Sequence, residues 1–421
     1  MRGATGRLAA VDEANLVLDH AGQVNVFLVA GNLAPGGFVG PDGTPDVDAL
    51  RATLNERIEA LRPLRRVAVP AGRGHRWIDA SPDLEHHIRL SEAVDGLSGL
   101  EQKSAELMCV PLARDRPLWE LLVVPNAAGG TGVVLRIHHA VADGMAAVAI
   151  VQQLFDFQAP EAVVTRTSPG AGAEPARQPN LRDILGQLRV GARRIRMTLS
   201  AREVESTVLL GARSSRRAVA FVDADLAALD ARMRPLGATV NDGLLAAVAS
   251  GYRAMLPIAG EPIPARLPVS VPVALHRRGT SGNQIGVMLV RLPLGEPSPE
   301  DRLRLIVEQT RTEKMQARQQ GTLEFMRGPI GARVMDRVGR SQRLVAGFVT
   351  NVPGPADSLR LAGAPVVRIW PVAVLAGNIR LGVAALSYGG RLNCGIHFDA
   401  ATVPGATFAR VVGEELARLS S

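Results

Sequence analysis

Apolar residues along this chain recur with two different periods, and the two periods alternate from one end to the other. In DALRATLNERIEAL (48–61) and GLEQKSAELM (99–108) the apolar positions return every three or four residues, which predicts amphipathic helices. LWELLVV (118–124) and GVVLRI (132–137) are short, nearly unbroken apolar runs and predict buried strands. The alternation continues with helices over DLAALDARM and TVNDGLLAAVASGYRAML, strands over 266–273 and 284–294, and a long helix over 300–320. VRIWPV, NIRLGVAALSY and RLNCGIHF then read as strands, and the stretch near 403–418 as a last helix. Helices and strands in both halves predict an α/β or α+β fold of two lobes. Between the halves, at 159–180, periodic apolar residues give way to Pro, Gly, Ala and Thr, the composition of a linker. The expected organisation is a first lobe over 1–158, a linker with a basic amphipathic helix over 159–215, and a second lobe over 216–421.

Composition narrows the classes. With 421 residues, 47% hydrophobic and 21% charged, the chain can bury a sizeable core and is not disordered over most of its length. Aromatics are only 3%, so the core rests on Ala, Val, Leu and Ile, and the stacking platforms of single-strand nucleic-acid binders are scarce. The net charge of +8 is local: residues 181–220 hold nine arginines against Asp183, Glu203 and Glu205. Over 181–203 these arginines lie opposite an apolar face. Arg189, Arg193, Arg194 and Arg196 are therefore candidate contacts for lipid headgroups or CoA phosphates, the alternative being a solvated helix face. Cys109 and Cys394 are too few for a disulfide framework or a zinc site, which suits a reducing cytoplasm, and both read as small core residues. No secretory leader and no run of about 20 apolar residues is present, so a cytoplasmic protein is expected, with any membrane or lipid contact peripheral.

Candidate chemistry concentrates in VVLRIHHAVADGMAAVAIVQQLF (133–155). A strand-like run ends in His138-His139, passes through three small residues to Asp143-Gly144, and opens into an apolar helix. Joints of this kind hold a loop side chain between rigid flanks, and histidine is the side chain best matched to moving a proton near neutral pH. Asp143 stands at the expected helix start, where a carboxylate can cap backbone N–H groups, and Gly144 permits close approach. Adjacent histidines lack the i, i+4 spacing of zinc-binding helices, so no metal is expected. His86-His87, with no such setting, reads as packing.

HHAVADG fits the HHxxxDG signature of the CoA-dependent acyltransferase superfamily, and the surrounding blocks resemble the bacterial wax ester synthase/diacylglycerol acyltransferase family. PLARDRPLWE (111–120) is similar to that family's PLDRxRPLWE, with Ala113 where aspartate is frequent, and TVNDGLLAAVASGYR (239–253) resembles its ND-motif helix. LPVSVPV, SGNQIGVMLVRLPL, TNVPGPADSLRLAGAPVVRIWPV and GVAALSYGGRLNCGIHFDA resemble later blocks, so that the likeness runs from Leu8 to about Phe408. It implies a two-lobed α/β fold of the chloramphenicol acetyltransferase kind, with a tunnel between lobes entered by acyl-CoA and by an alcohol. It further implies that His139 is the general base and attack on the thioester is direct, that His138 orients, that Asp143 holds the loop through an arginine, and that Asn241 and Asp242 are positional. Acyl-CoA is then a substrate and no cofactor is required. The expected product is triacylglycerol or wax ester; another lipid or polyketide alcohol, and a lipid-binding relative without turnover, are the alternatives. The family's Pro-x-His stretch near the start is replaced by Gln23-Val24-Asn25.

Overall fold

The computed structural model describes residues 4–20, 22–127, 130–142, 144–157, 202–275, 284–320, 329–355 and 357–421. Its first half runs β1 (Ala4–Arg7), α1 (Ala10–Leu18), β2 (Val26–Leu33), α2 (Val47–Ala60), β3 (Arg66–Ala71), β4 (Gly74–Asp79), α3 (Leu84–His87), β5 (Ile88–Leu90), α4 (Gly96–Leu107), β6 (Trp119–Ala127), β7 (Gly130–His138), α5 (Gly144–Leu154) and β8 (Asp156–Phe157). The second half runs β9 (Arg217–Asp225), α6 (Leu226–Met233), α7 (Val240–Ile258), β10 (Leu267–Leu275), β11 (Gln284–Leu292), α8 (Pro299–Gln320), α9 (Pro329–Gly339), β12 (Gly347–Val352), β13 (Leu359–Leu361), β14 (Ala364–Val372), β15 (Leu381–Tyr388), β16 (Arg391–Asp399) and α10 (Gly405–Leu419). Helices expected from apolar spacing at 48–61, 99–108, 300–320 and 403–418 are α2, α4, α8 and α10, each within three residues of its expected bounds. Arg189, Arg193, Arg194 and Arg196, with the rest of the expected basic helix up to residue 201, lie outside the described residues.

Two large mixed sheets organise these elements, one in the order β5-β6-β7-β2-β14-β13-β8 and the other in the order β11-β10-β12-β15-β16-β9, and a small antiparallel sheet pairs β1-β4-β3. Each backs onto its own buried apolar cluster, which gives the two lobes of an α/β fold. The first sheet takes strands from both halves of the sequence. β14, from the stretch expected to belong wholly to the second lobe, lies antiparallel to β2 with Trp370 opposite Ala30 and Val372 opposite Leu28. The lobes meet where β16 crosses β14: a Cβ at Gly395 would collide with the Pro371 carbonyl, so only glycine permits the approach. Phe221 of β9 stacks on Trp370 of β14 beside that crossing, with ring centroids 4.8 Å apart.

Local packing explains the elements that carry the site. α2 begins at Asp46, whose carboxylate accepts the Ala49 N–H at 2.9 Å, and buries Leu50, Leu54 and Ile58 along one face. β6 and β7 are buried on both faces, and a charged pair sits inside them. Glu120 lies opposite Arg136 across the ladder, and the Arg136 guanidinium bonds both that carboxylate and the carbonyls of Leu107 and Val110. The end of α4 is thereby tied to the face of β7 that Arg136 occupies.

Candidate active site

β7 ends at His138, and strand alternation sends the two histidines to opposite faces of the sheet. In the β2–β7 ladder, Val26 lies opposite His138 and Phe27 opposite Ile137. His139, one residue past the strand, falls on the face of Ile137 and Phe27, where its half-buried ring meets the Phe27 ring edge-to-face at 5.5 Å. Its backbone is held at both ends: the His139 N–H donates to the Asn25 carbonyl at 3.0 Å, and the Asn15 side-chain amide donates to the His139 carbonyl at 3.1 Å. The Asn25 side chain in turn donates to the carbonyl of Asn15 at 2.9 Å, which joins α1, the start of β2 and the histidine loop.

His138 points the other way and is buried. Its Nδ1 accepts the Ala140 N–H at 2.9 Å, which closes the turn and places the neutral ring's proton on Nε2. Nε2 faces the Asp19 carboxylate across 3.5 Å. Asp19 is also buried, and burial by itself would raise its carboxyl. Hydrogen bonding from His138, the Asn25 N–H at 2.9 Å and Arg114 at 3.0 Å outweigh this and bring its pKa down to about 2. Arg114 adds bonds to the Leu16 and Asp19 carbonyls at 2.9 and 2.8 Å, which fix the end of α1 under the loop. A side chain whose backbone is clamped this firmly needs little further ordering to act.

Asp143 lies outside the described residues, and Gly144 begins α5. Asn241 and Asp242 open α7, in the other lobe. Thr239 is the N-cap of that helix, and Asp242 completes a capping box with it while accepting the Thr310 hydroxyl at 2.7 Å. Asn241 is therefore not the cap, and Asp242 has a structural occupation. His87 stacks on Trp119 at 4.6 Å and serves the core. Cys394 is buried, whereas Cys109 is only partly covered and lines a cavity, contrary to its expected place in the core. Among the described residues, no group of three or more His, Cys, Asp or Glu is placed to hold a metal, and no helix is long and apolar enough to cross a membrane.

Asn15, Asp19, Asn25 and Arg114 were not singled out by reading the sequence. Arg114 stood in view within PLARDRPLWE, and Asn25 stands where the chain departs from the family's Pro-x-His; that departure falls on the residue that holds the His139 backbone.

Comparison with known proteins identifies the family. The wax ester synthase/diacylglycerol acyltransferase catalytic-domain model matches residues 8–201, and the C-terminal-domain model of the same family matches residues 281–419. A probable diacylglycerol O-acyltransferase of Mycobacterium tuberculosis, tgs1, is 31% identical over 431 aligned positions, covering 94% of this chain and 92% of its own length. The solved wax ester synthase/diacylglycerol acyltransferase of Marinobacter aquaeolei VT8 superposes with a TM-score of 0.72 at 20% identity, covering 99% of this chain and 98% of that one. The trichothecene 15-O-acetyltransferase TRI3 of Fusarium sporotrichioides shares the fold at a TM-score of 0.64 and 10% identity, covering 100% and 97%. The chain belongs to the wax ester synthase/diacylglycerol acyltransferase family.

Proposed function

We propose that this protein transfers a long-chain acyl group from acyl-CoA to the hydroxyl of diacylglycerol or a fatty alcohol, giving triacylglycerol or wax ester. The observation that carries the reading is the clamp on His139, which presents one histidine on the Phe27 face while its neighbour is locked away on the other. His139 accepts the proton of the acceptor hydroxyl as the oxygen attacks the thioester carbonyl. The tetrahedral adduct then expels CoA thiolate, which takes that proton back from the imidazolium, and no acyl-enzyme forms. A tunnel between the lobes would keep water from the thioester. His138 holds the turn through the Ala140 N–H, and Asp143 is assigned to the loop's support. Acyl-CoA enters as substrate and no cofactor takes part. Peripheral association with membrane or lipid droplets through Arg189, Arg193, Arg194 and Arg196 belongs to the same reading. Liposome flotation that survives their replacement by glutamine overturns that part.

Thiol release from palmitoyl-CoA tests the reaction, comparing hexadecanol, dipalmitoylglycerol and no acceptor in the wild type and His139→Ala. Acceptor-dependent release is expected, falling by about 10²–10⁴-fold in the variant, the usual loss for a general base. Release that ignores the acceptor, or that persists in His139→Ala, overturns the proposal. The better acceptor decides between triacylglycerol and wax ester.

A further inference from the structure

Helix α9 carries apolar residues on two sides. Ala332 and Val338 are buried beneath it, while Ile330 and Val334 are 74% and 41% exposed. With Arg333 and Arg337 these two occupy positions i, i+3, i+4 and i+7, so the four form one stripe along the outer side of the helix, and all four are exposed. Among the described residues neither Arg333 nor Arg337 is paired with a carboxylate. The acid of α9, Asp336, is taken up by Arg340 at 2.6 Å and by His20 at 3.4 Å. Single exposed apolar residues are ordinary, but a branched pair one turn apart, edged by arginines that meet no acid, is what an interfacial helix presents.

The surroundings of the stripe are positive. From Pro329 to Arg343 the chain carries Arg333, Arg337, Arg340 and Arg343 against Asp336 alone. The chain that follows the basic stretch ending at residue 201 is fastened just beyond α9, where the Val204 N–H donates to the Arg343 carbonyl at 3.0 Å. Arg213, from the same arginine-rich stretch, lies near enough to Arg340 and Asp336 to feel both charges. The stripe is thus continuous with the segment already assigned to lipid contact. α9 also packs against α1, whose Asn15 holds the His139 carbonyl, so the stripe lies one helix away from the loop of the candidate base. A positive stripe with an apolar ridge complements a surface that is negative outside and apolar beneath, the make-up of an anionic lipid layer.

We propose that α9 docks the protein on anionic lipid, with Ile330 and Val334 entering the headgroup region and Arg333 and Arg337 meeting lipid phosphates. The long arginine stems lie along the apolar boundary while their heads reach the phosphates. Docking needs no turnover; it rests on the acyl-transfer reading only for its purpose, the delivery of a water-insoluble alcohol beside the loop that carries His139.

Flotation of the full chain with vesicles of phosphatidylcholine, and of phosphatidylcholine mixed with phosphatidylglycerol, tests it. The wild type is expected to float with the anionic vesicles and not with the neutral ones. Arg333→Gln combined with Arg337→Gln should weaken binding about 30-fold, the usual contribution of two arginines at an anionic surface. Ile330→Ser combined with Val334→Ser should weaken it about tenfold or more and leave its salt dependence in place, since the arginines remain. All four side chains face solvent, so unfolding midpoints at the wild-type value show that the fold is kept. A wild type that ignores anionic vesicles, both double variants floating as the wild type does, or a loss confined to replacement of Arg189, Arg193, Arg194 and Arg196 by glutamine, overturns the proposal. Thiol release from palmitoyl-CoA with hexadecanol dispersed in detergent needs no vesicle, so failure of the acyl-transfer reading shows there and failure of docking shows in flotation.

Discussion

Two groups of aspartate, arginine and histidine, each with its histidine and aspartate buried, behave in opposite ways. In the first, His138 accepts a backbone N–H at Nδ1 and turns its Nε2 proton toward Asp19, which Arg114 also engages. In the second, His397 donates from Nδ1 to a backbone carbonyl, and its buried Nε2 has no donor among the described residues, with Arg213, Arg217 and Asp399 nearby. The same three residue types aim a ring proton at a carboxylate in one case and leave a buried acceptor without a donor in the other. The main chain engages Nδ1 in both; what differs is whether it brings a donor or an acceptor, because that choice fixes the tautomer and hence what the far nitrogen seeks.

The pH dependence of stability should separate the two. His397 titrates near 4 in the folded protein against about 6.5 unfolded, so the unfolded chain takes up the proton first. Its contribution is complete above pH 6.5 and is lost as pH falls toward 4, a loss on the order of 3 kcal/mol. Urea unfolding of wild type and His397→Phe at pH 7 and pH 4.5 should show most of that difference in slope; parallel profiles would mean that the ring is not held neutral. Asp19 acts lower. Its folded value of about 2 is below the usual carboxylate value, so its contribution is present above about pH 4 and disappears as pH falls through 2, on the order of 2 kcal/mol. Asp19→Asn should flatten the profile below pH 4; a profile there as steep as the wild type's would mean that Asp19 is not held below the usual carboxylate range. The smallest effect concerns the bridge between them. Gln23 donates to the Leu18 carbonyl at 3.3 Å and accepts the Gly377 N–H at 2.8 Å, so Gln23→Ala should cost about 1 kcal/mol by thermal or urea unfolding. Additivity of Gln23→Ala with Asp19→Asn would show that the two groups are energetically independent.

Much of this architecture was legible in the chain itself, and what was not has a common physical cause. α2, α4, α8, β6 and β7 carry strong apolar periodicity, so spacing located them, and the strand–HHxxxDG–helix joint located His138 and His139. β2 escaped because its apolar residues are interrupted by Asn32 and flanked by Gln23 and Asn25, polar residues whose partners are distant in sequence. Asp19 and Arg114 look like ordinary surface charges in a sequence; 95 positions separate them, and only the folded loop brings them together. His397 was read as part of a strand, which it is, but no one-dimensional pattern marks the strand residue that borders a cavity between lobes. Asn241 shows the converse: it is a polar residue at an expected helix start, yet Thr239 two residues earlier is the cap.

The position of β14 has a consequence for the order in which the protein can be made. The edge of β2 is completed by residues 364–372, which leave the ribosome more than 330 residues after β2 does. Until then the first sheet has an open edge at β2, and its late partner must arrive over a long loop, a slow and aggregation-exposed step. A polypeptide halted before residue 364 should therefore depend on chaperones, and supplying the missing C-terminal fragment in trans should rescue it by strand addition, as one half of a split protein rescues the other.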